Sequence, residues 1–274
     1  MNDDESEDAM GPIAQFKEDA KLAWSTFAAT ETISGSVAPQ LVRFAGIADG
    51  TSVLDVGCGT GVVALTAARV GARVTGLDLT PELLQHAKEN ARTMRVDIDW
   101  HEGDVEALPF DDGRFEIVVS QFGHMFAPRP NVALREMLRV LRPGGVIAFS
   151  TWPPDVFTGK MFALVAGYAP PPPAGVASPL QWGDPTVVRE RLGSAVKDIC
   201  FDRGTMRMQI LSPQHHREFM ERHIGPVNKL VRALEASDKQ RLAEFRREFE
   251  ELSSVYFEDN HVRQDFLMTR AVKV

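Results

Sequence analysis

The segment Ser52–Thr80, SVLDVGCGTGVVALTAARVGARVTGLDLT, holds residues whose types and spacing could do binding chemistry. Gly57, Gly59 and Gly61 alternate with other residues, Cys58 lies between the first two, and Asp55 stands two positions ahead. Glycines in such a turn let backbone approach a ligand, because no Cβ intrudes. The dinucleotide fingerprint G-x-G-x-x-G sets its last glycine three residues on, and a pyrophosphate seeks N–H donors away from carboxylates. This spacing therefore disfavours a hydride-transfer dinucleotide, and Asp55 suits a ligand with a cationic end. Asp78, closing the next apolar run, can accept hydrogen bonds from two ribose hydroxyls.

Few residues could handle a proton. His124, just past the run FEIVVSQ, falls where ligands of open α/β sheets bind, and a neutral imidazole accepts a proton near pH 7. It is the expected general base; the alternative is a structural or solvent-facing histidine. His223 and His261 come after it. His215 and His216 are adjacent, face different ways on a helix and lack a partner at ligand spacing, so no metal site is expected. Cys58 heads a helix, where a thiol can be acidic, but packing is the expected role.

The elements that must position these groups read clearly. Apolar positions Phe16, Ala20, Ala23, Trp24 and Phe27 recur at helical spacing over 13–30. Strands are expected at 53–56, RVTGLDL, IDWHEGD, FEIVVSQ and VIAFSTW. Helices lie between them, including TPELLQHAKENAR, with Thr80 as N-cap and Pro81 at its first position, and NVALREMLRVLRPGG, ended by Pro143 and the glycine pair. This alternation predicts a doubly wound, mostly parallel α/β sheet. Beyond it, DPTVVRERLG reads as a helix, VKDICFDRGTMRMQI as a strand pair or one long strand, 212–257 as two or three helices, and DFLMTRAVKV as an edge or near-edge strand. The expected organisation is an acidic disordered tail over 1–12, then one domain over 13–274. Its core spans 46–152, with cap insertions at about 153–183 and 212–257.

The stretch D-V-G-C-G-T-G resembles motif I of the class I S-adenosylmethionine-dependent methyltransferases. Residues 52–152 are similar to the ubiquinone/menaquinone-biosynthesis type. DLTPELLQ, ALPFDDGRFEIVVSQFGHMFAPRP and SPLQWGD extend a resemblance to actinobacterial methyltransferases over nearly the whole chain. The resemblance implies a seven-stranded Rossmann-like sheet and S-adenosylmethionine as cofactor. It implies that the turn of Gly57, Cys58, Gly59 and Gly61 approaches the amino-acid part of the cofactor, and that Asp55 helps bind its ammonium end, directly or through water. Asp78 would take the ribose and Asp104 the adenine amino group, with Val105 a backbone contact and Leu79 on an adenine face. Gln121 and the loop after it would face the reacting methyl, and the segment carrying Trp24 would fold over the cofactor.

Phe27, Phe122, His124, Trp152, Phe157 and Trp182, with Met161 and Phe162, are the expected substrate pocket, which would favour a planar or lipophilic acceptor. The other reading of these aromatics is packing of the insertion onto the sheet. The expected activity is methyl transfer to a small molecule; the alternative is a cofactor-binding regulatory protein without transfer. A nucleic-acid acceptor is disfavoured. The net charge is −8, the acids concentrate in MNDDESED, and SQFGH stands where base-amine methylating enzymes carry an Asn/Asp-Pro-Pro-aromatic tetrad. Two cysteines without a disulfide framework and an N-terminus without an apolar run predict a cytoplasmic protein, and no stretch is apolar enough for a membrane span. The helical tail either caps the pocket or forms a homodimer interface.

Overall fold

The computed structural model describes residues 11–274. The acidic stretch expected as a tail falls on residues outside that range, except that Pro12 already opens the first helix. In chain order the elements are α1 Pro12–Trp24, α2 Glu31–Gly35, α3 Ala38–Ala45, β1 Ser52–Val56, α4 Val62–Arg69, β2 Arg73–Asp78, α5 Pro81–Met94 and β3 Asp99–Glu102. There follow β4 Phe115–Gln121, α6 Pro130–Val140, β5 Leu141–Thr151, α7 Phe157–Tyr168, α8 Pro185–Leu192 and β6 Val196–Gln209. The chain closes with α9 Pro213–His223, α10 Gly225–Ser237, α11 Lys239–Tyr256, β7 Phe257–Glu258 and β8 His261–Lys273.

The sheet runs β3-β2-β1-β4-β5-β8-β6, with the two-residue β7 paired to β8. The first five strands are parallel, and β8 joins β5 and β6 antiparallel. Each central strand feeds two cores by alternation, as a buried strand must. Val53, Ile117 and Ala148 face α3 and α4, while Leu54, Val118 and Phe149 face α6 and α8. A third core joins α7, α9, α10 and α11 over Met208, Ile210 and Val262.

The last hairpin carries that third core. β8 pairs with β5 only from Leu267 to Val272, whereas its pairing with β6 continues down to His261. The segment 261–266, with 204–209 beside it, therefore runs past the end of β5 as a two-stranded wall.

Three local expectations differ from the structure. The helical pattern over 13–30 breaks at Trp24, and residues 25–30 form a 3₁₀ turn. Ser25, Thr26 and Thr30 hydroxyls donate to carbonyls three residues back, at 2.8, 3.5 and 2.8 Å, in competition with the α ladder. The helix before Pro143 ends at Val140, because proline disfavours α geometry in the residue before it. Thr80 does not cap α5 with its side chain; its backbone N–H instead donates to Asp78 Oδ1 at 2.8 Å. Asp184, by contrast, accepts from Thr186 N–H at 2.8 Å to start α8.

Candidate active site

The tips of β1, β2 and β4 open into a cavity of about 210 Å³, roofed by α1 and closed laterally by α7, α9 and the β6–β8 wall. Sheet order separates its two ends. The tips of β1, β2 and β3 supply Gly57, Gly59, Asp78, Leu79, Asp104 and Val105; α7, α9, β6 and β8 supply the other end. Gln121, Phe122, Gly123 and His124, from the β4 tip, lie between.

The β1 turn is held from both sides. Asp78 Oδ2 accepts the Gly59 N–H at 2.7 Å, so the second acid locks the glycine turn to its own strand end. Burial pushes the Asp78 carboxyl above the usual range, opposed by hydrogen bonds from Thr80 and Gly59 N–H. Gly59, at φ +55°, lines the cavity and has open space where a Cβ would stand. Gly57 is required for another reason. It lies back to back with Gly123: a Cβ on Gly123 would come 2.6 Å from the Gly57 carbonyl oxygen, and one on Gly57 2.9 Å from Gly123 Cα.

Asp55 does not line the cavity. It is buried behind the turn, with Oδ2 accepting the Ala64 N–H at 3.0 Å and Oδ1 unpartnered. Burial, with the Asp78 charge adding to it, raises its pKa to about 8. Its hydrogen bond ties β1 to the first turn of α4. Cys58 and Gly61 also lie off the cavity wall. Burial raises the Cys58 thiol well above its ordinary value, which leaves it unreactive. At Gly61 a Cβ would strike the Trp100 ring at 2.7 Å.

Helix α1 was legible as an amphipathic helix, but its stripe faces the cavity and none of its residues is buried. Phe16, Ala20 and Trp24 line the roof, and Trp24 packs on Phe27 at 5.5 Å and Phe126 at 4.6 Å. Lys17 pins the helix, its Nζ 2.5 Å from both Asp104 Oδ2 and Glu106 Oε2. Glu106 in turn accepts from the Arg129 N–H and side chain at 2.6 and 2.8 Å. Sequence reading missed Lys17, since its partners stand more than eighty residues away.

His124 differs most from expectation. Its ring is buried against Phe149 at 4.6 Å and Trp182 at 4.7 Å, and both ring nitrogens lack partners. Burial, with the Arg191 guanidinium adding to it, lowers its pKa to about 3. The ring is thus neutral and caged by aromatics at the β4 tip of the cavity. Trp182 and Phe157 are corrections. Trp182, 1% exposed, fills the core beneath Arg191, whose guanidinium lies 4.7 Å from its ring. Phe157, fully buried, packs on His216, Phe249 and Tyr256. Neither lines the cavity. Phe122 and Trp152 do, stacked at 3.9 Å and 9° to form a flat wall. Phe122 holds φ +62°, a strained value for a bulky side chain, fixed by its N–H to Ser150 O at 3.0 Å and by that stack.

A family model described as "Methyltransferase domain" matches residues 54–149. The uncharacterized protein Rv1403c of Mycobacterium tuberculosis is 35% identical over 247 residues, 90% of each chain. Demethylmenaquinone methyltransferase of Staphylococcus aureus is 38% identical over 138 residues, 48% of this chain and 56% of that one. A Bacillus halodurans crystal structure, solved as a candidate methyltransferase, has the same fold, with TM-score 0.59 and 20% identity over 87% of this chain and 99% of that one. The chain belongs to the class I S-adenosylmethionine-dependent methyltransferases, and S-adenosylmethionine is its cofactor. Among the described residues no helix is long and apolar enough to cross a membrane.

Proposed function

We propose that the chain transfers the cofactor's methyl group to a small, apolar or aromatic molecule by direct displacement. One observation carries this reading: of the residues lining the cavity, the charged ones, Lys17, Asp78 and Asp104, all stand at the cofactor end. The far end is walled by Trp152, Phe162, Met161, Met206, Met208 and Met220. In this reading Asp78 holds the ribose, Asp104 the adenine amino group beside Lys17, Leu79 an adenine face, and Gly59 the amino-acid part. The bound sulfonium supplies an electrophilic methyl carbon. The Phe122–Trp152 stack orients a flat acceptor, and such positioning supplies much of the acceleration in a displacement. Trp24, Phe27, Phe126 and Phe162 exclude water from above. Residues 13–274 work as one domain, with the segments 153–183 and 212–257 capping the acceptor rather than joining two copies. The free Cys58 and Cys200 suit a reducing cytoplasm.

The reading assigns no general base, so the pH dependence of turnover follows the acceptor's own ionisation. His124→Phe, which fills the same aromatic cage, is expected to keep turnover within about threefold, against the 100-fold or more that loss of a true general base costs. The same variant has a stability signature. The histidine's folded pKa, about 3, lies below its ordinary 6.5, so the unfolded chain binds the extra proton between those values. Wild type should therefore lose up to about 1.4 kcal/mol per pH unit below pH 6.5 that the phenylalanine variant keeps. Denaturant unfolding of both at pH 7 and 4.5 reads this directly.

Gly225 tests the roof. A Cβ there would come 2.2 Å from the Ala23 carbonyl oxygen, at the crossing of α1 and α10. Gly225→Ala is expected to lift α1 and weaken cofactor binding about tenfold, equivalent to about 1.4 kcal/mol, with little change in melting temperature because α1 buries no residue. Calorimetric titration with S-adenosylmethionine measures it.

Release of S-adenosylhomocysteine in the presence of a panel of phenols, quinols and amines tests the proposal as a whole. Tight cofactor binding with no release across apolar acceptors would favour the regulatory alternative.

A further inference from the structure

The inward face of the projecting hairpin breaks its own pattern at one position. On β8, Val262, Gln264, Phe266 and Met268 point the same way and are all buried; opposite them on β6 stand Met208, Met206 and Gly204. Gln264, 6% exposed, is the polar member of that face, and it lines the acceptor end of the cavity. Its amide nitrogen reaches the Met208 thioether at 3.5 Å, a weak acceptor. A buried amide left in such company costs about 1–3 kcal/mol, and the strand would gain by carrying methionine there. Thr158, 6% exposed near the start of α7, repeats the pattern: it lines the same chamber with its hydroxyl unpartnered.

We infer that Gln264 anchors the acceptor by hydrogen bonding an uncharged hydroxyl or carbonyl carried on an apolar skeleton. The inference rests on the methyl-transfer reading above and narrows its substrate class. An amide offers both donor and acceptor, which suits a neutral oxygen. An ionised group would need a counter-charge, and every charged side chain lining the cavity lies at the cofactor end. The methionines around it, unbranched and polarisable, mould to an irregular hydrocarbon outline. Gln264 is thus a specificity-determining residue, with no part in the bond making itself.

Equilibrium dialysis of the full-length protein, saturated with S-adenosylhomocysteine, against naphthalene, 2-naphthol and 2-naphthoate tests this. The naphthol should bind about tenfold tighter than either of the others, the worth of one well-made hydrogen bond. Gln264→Met should bring naphthol down to the level of naphthalene, with cofactor affinity unchanged and melting temperature equal or higher. Gln264→Asn, which keeps the amide but withdraws it, should fall between them and serves if the methionine variant does not fold. Equal binding of naphthol and naphthalene by wild type, or a naphthol preference that survives Gln264→Met, overturns the inference while leaving methyl transfer to apolar acceptors intact. Tightest binding of naphthoate overturns it in favour of an anion site. Failure of all three, with S-adenosylhomocysteine release found only for charged acceptors, overturns the inference together with the apolar-acceptor reading.

Discussion

Asp78→Ala is expected to raise the dissociation constant for S-adenosylmethionine about 100-fold, the worth of roughly 3 kcal/mol of charge-assisted hydrogen bonding. The residue does two things at once. Its carboxylate lines the cavity where a ribose would lie, and it already accepts the Gly59 and Thr80 N–H groups. Removing it takes away the sugar's acceptors and loosens the glycine turn from β2. Asp78→Asn retains the shape and one acceptor oxygen, so it should lose about tenfold. Calorimetry on both variants, beside a thermal melt to show that each is folded, makes the comparison. An alanine variant that binds the cofactor as tightly as wild type would remove the ribose from this position.

The largest expected effect on the fold comes from Gly123→Ala. Its Cβ would meet the Gly57 carbonyl oxygen at 2.6 Å and Gly57 Cα at 2.8 Å, both backbone atoms of a turn tied to Asp78 at Gly59 and followed by α4, which is tied to Asp55 at Ala64. Neither loop can retreat without breaking those bonds or the Phe122–Trp152 stack. A cost of about 3 kcal/mol follows for overpacking of this kind. At this chain length that lowers the melting temperature by about 5 °C. Cofactor affinity should fall with it, because the displaced partner is the binding turn. Gly46→Ala offers the contrast: that glycine has positive φ, at +76°, where Gly123 is at −84°, and nothing lies within 4 Å of its Cβ position. It should cost only the local backbone strain, about 1 kcal/mol. A Gly123→Ala melt indistinguishable from that of Gly46→Ala would show that the two loops can part freely.

What could be read from the sequence was local. The parallel strands, the Asp78 strand end and Pro185 opening α8 are each fixed by residues a few positions apart, and the structure has them where the pattern puts them. The reading went astray where a residue's surroundings decide its role. His124 has the right type and place for a base, but Phe149, Trp182 and Arg191, from three other segments, set its protonation. Phe157 and Trp182 looked like pocket aromatics because they lie in the insertion, yet their partners draw them into cores. Gln264 lies just ahead of the expected strand DFLMTRAVKV and was missed; that its face turns to a cavity depends on β8 outrunning β5. The reason for Gly57 lay sixty-six positions away in Gly123, and no local spacing carries that.

Helix α1 has a consequence for time rather than for affinity. It buries no residue and is pinned by Lys17 to Asp104 and Glu106, by Lys229 to Asp19 at 2.7 Å, and by Thr26 to the His223 carbonyl at 3.1 Å. Segments with few buried apolar contacts open locally at a small fraction of the free energy of global unfolding. The amides of 12–24 will therefore exchange with deuterium long before those of β1 or β4. Because this helix roofs the cavity, its local opening would uncover the cavity without unfolding the sheet beneath.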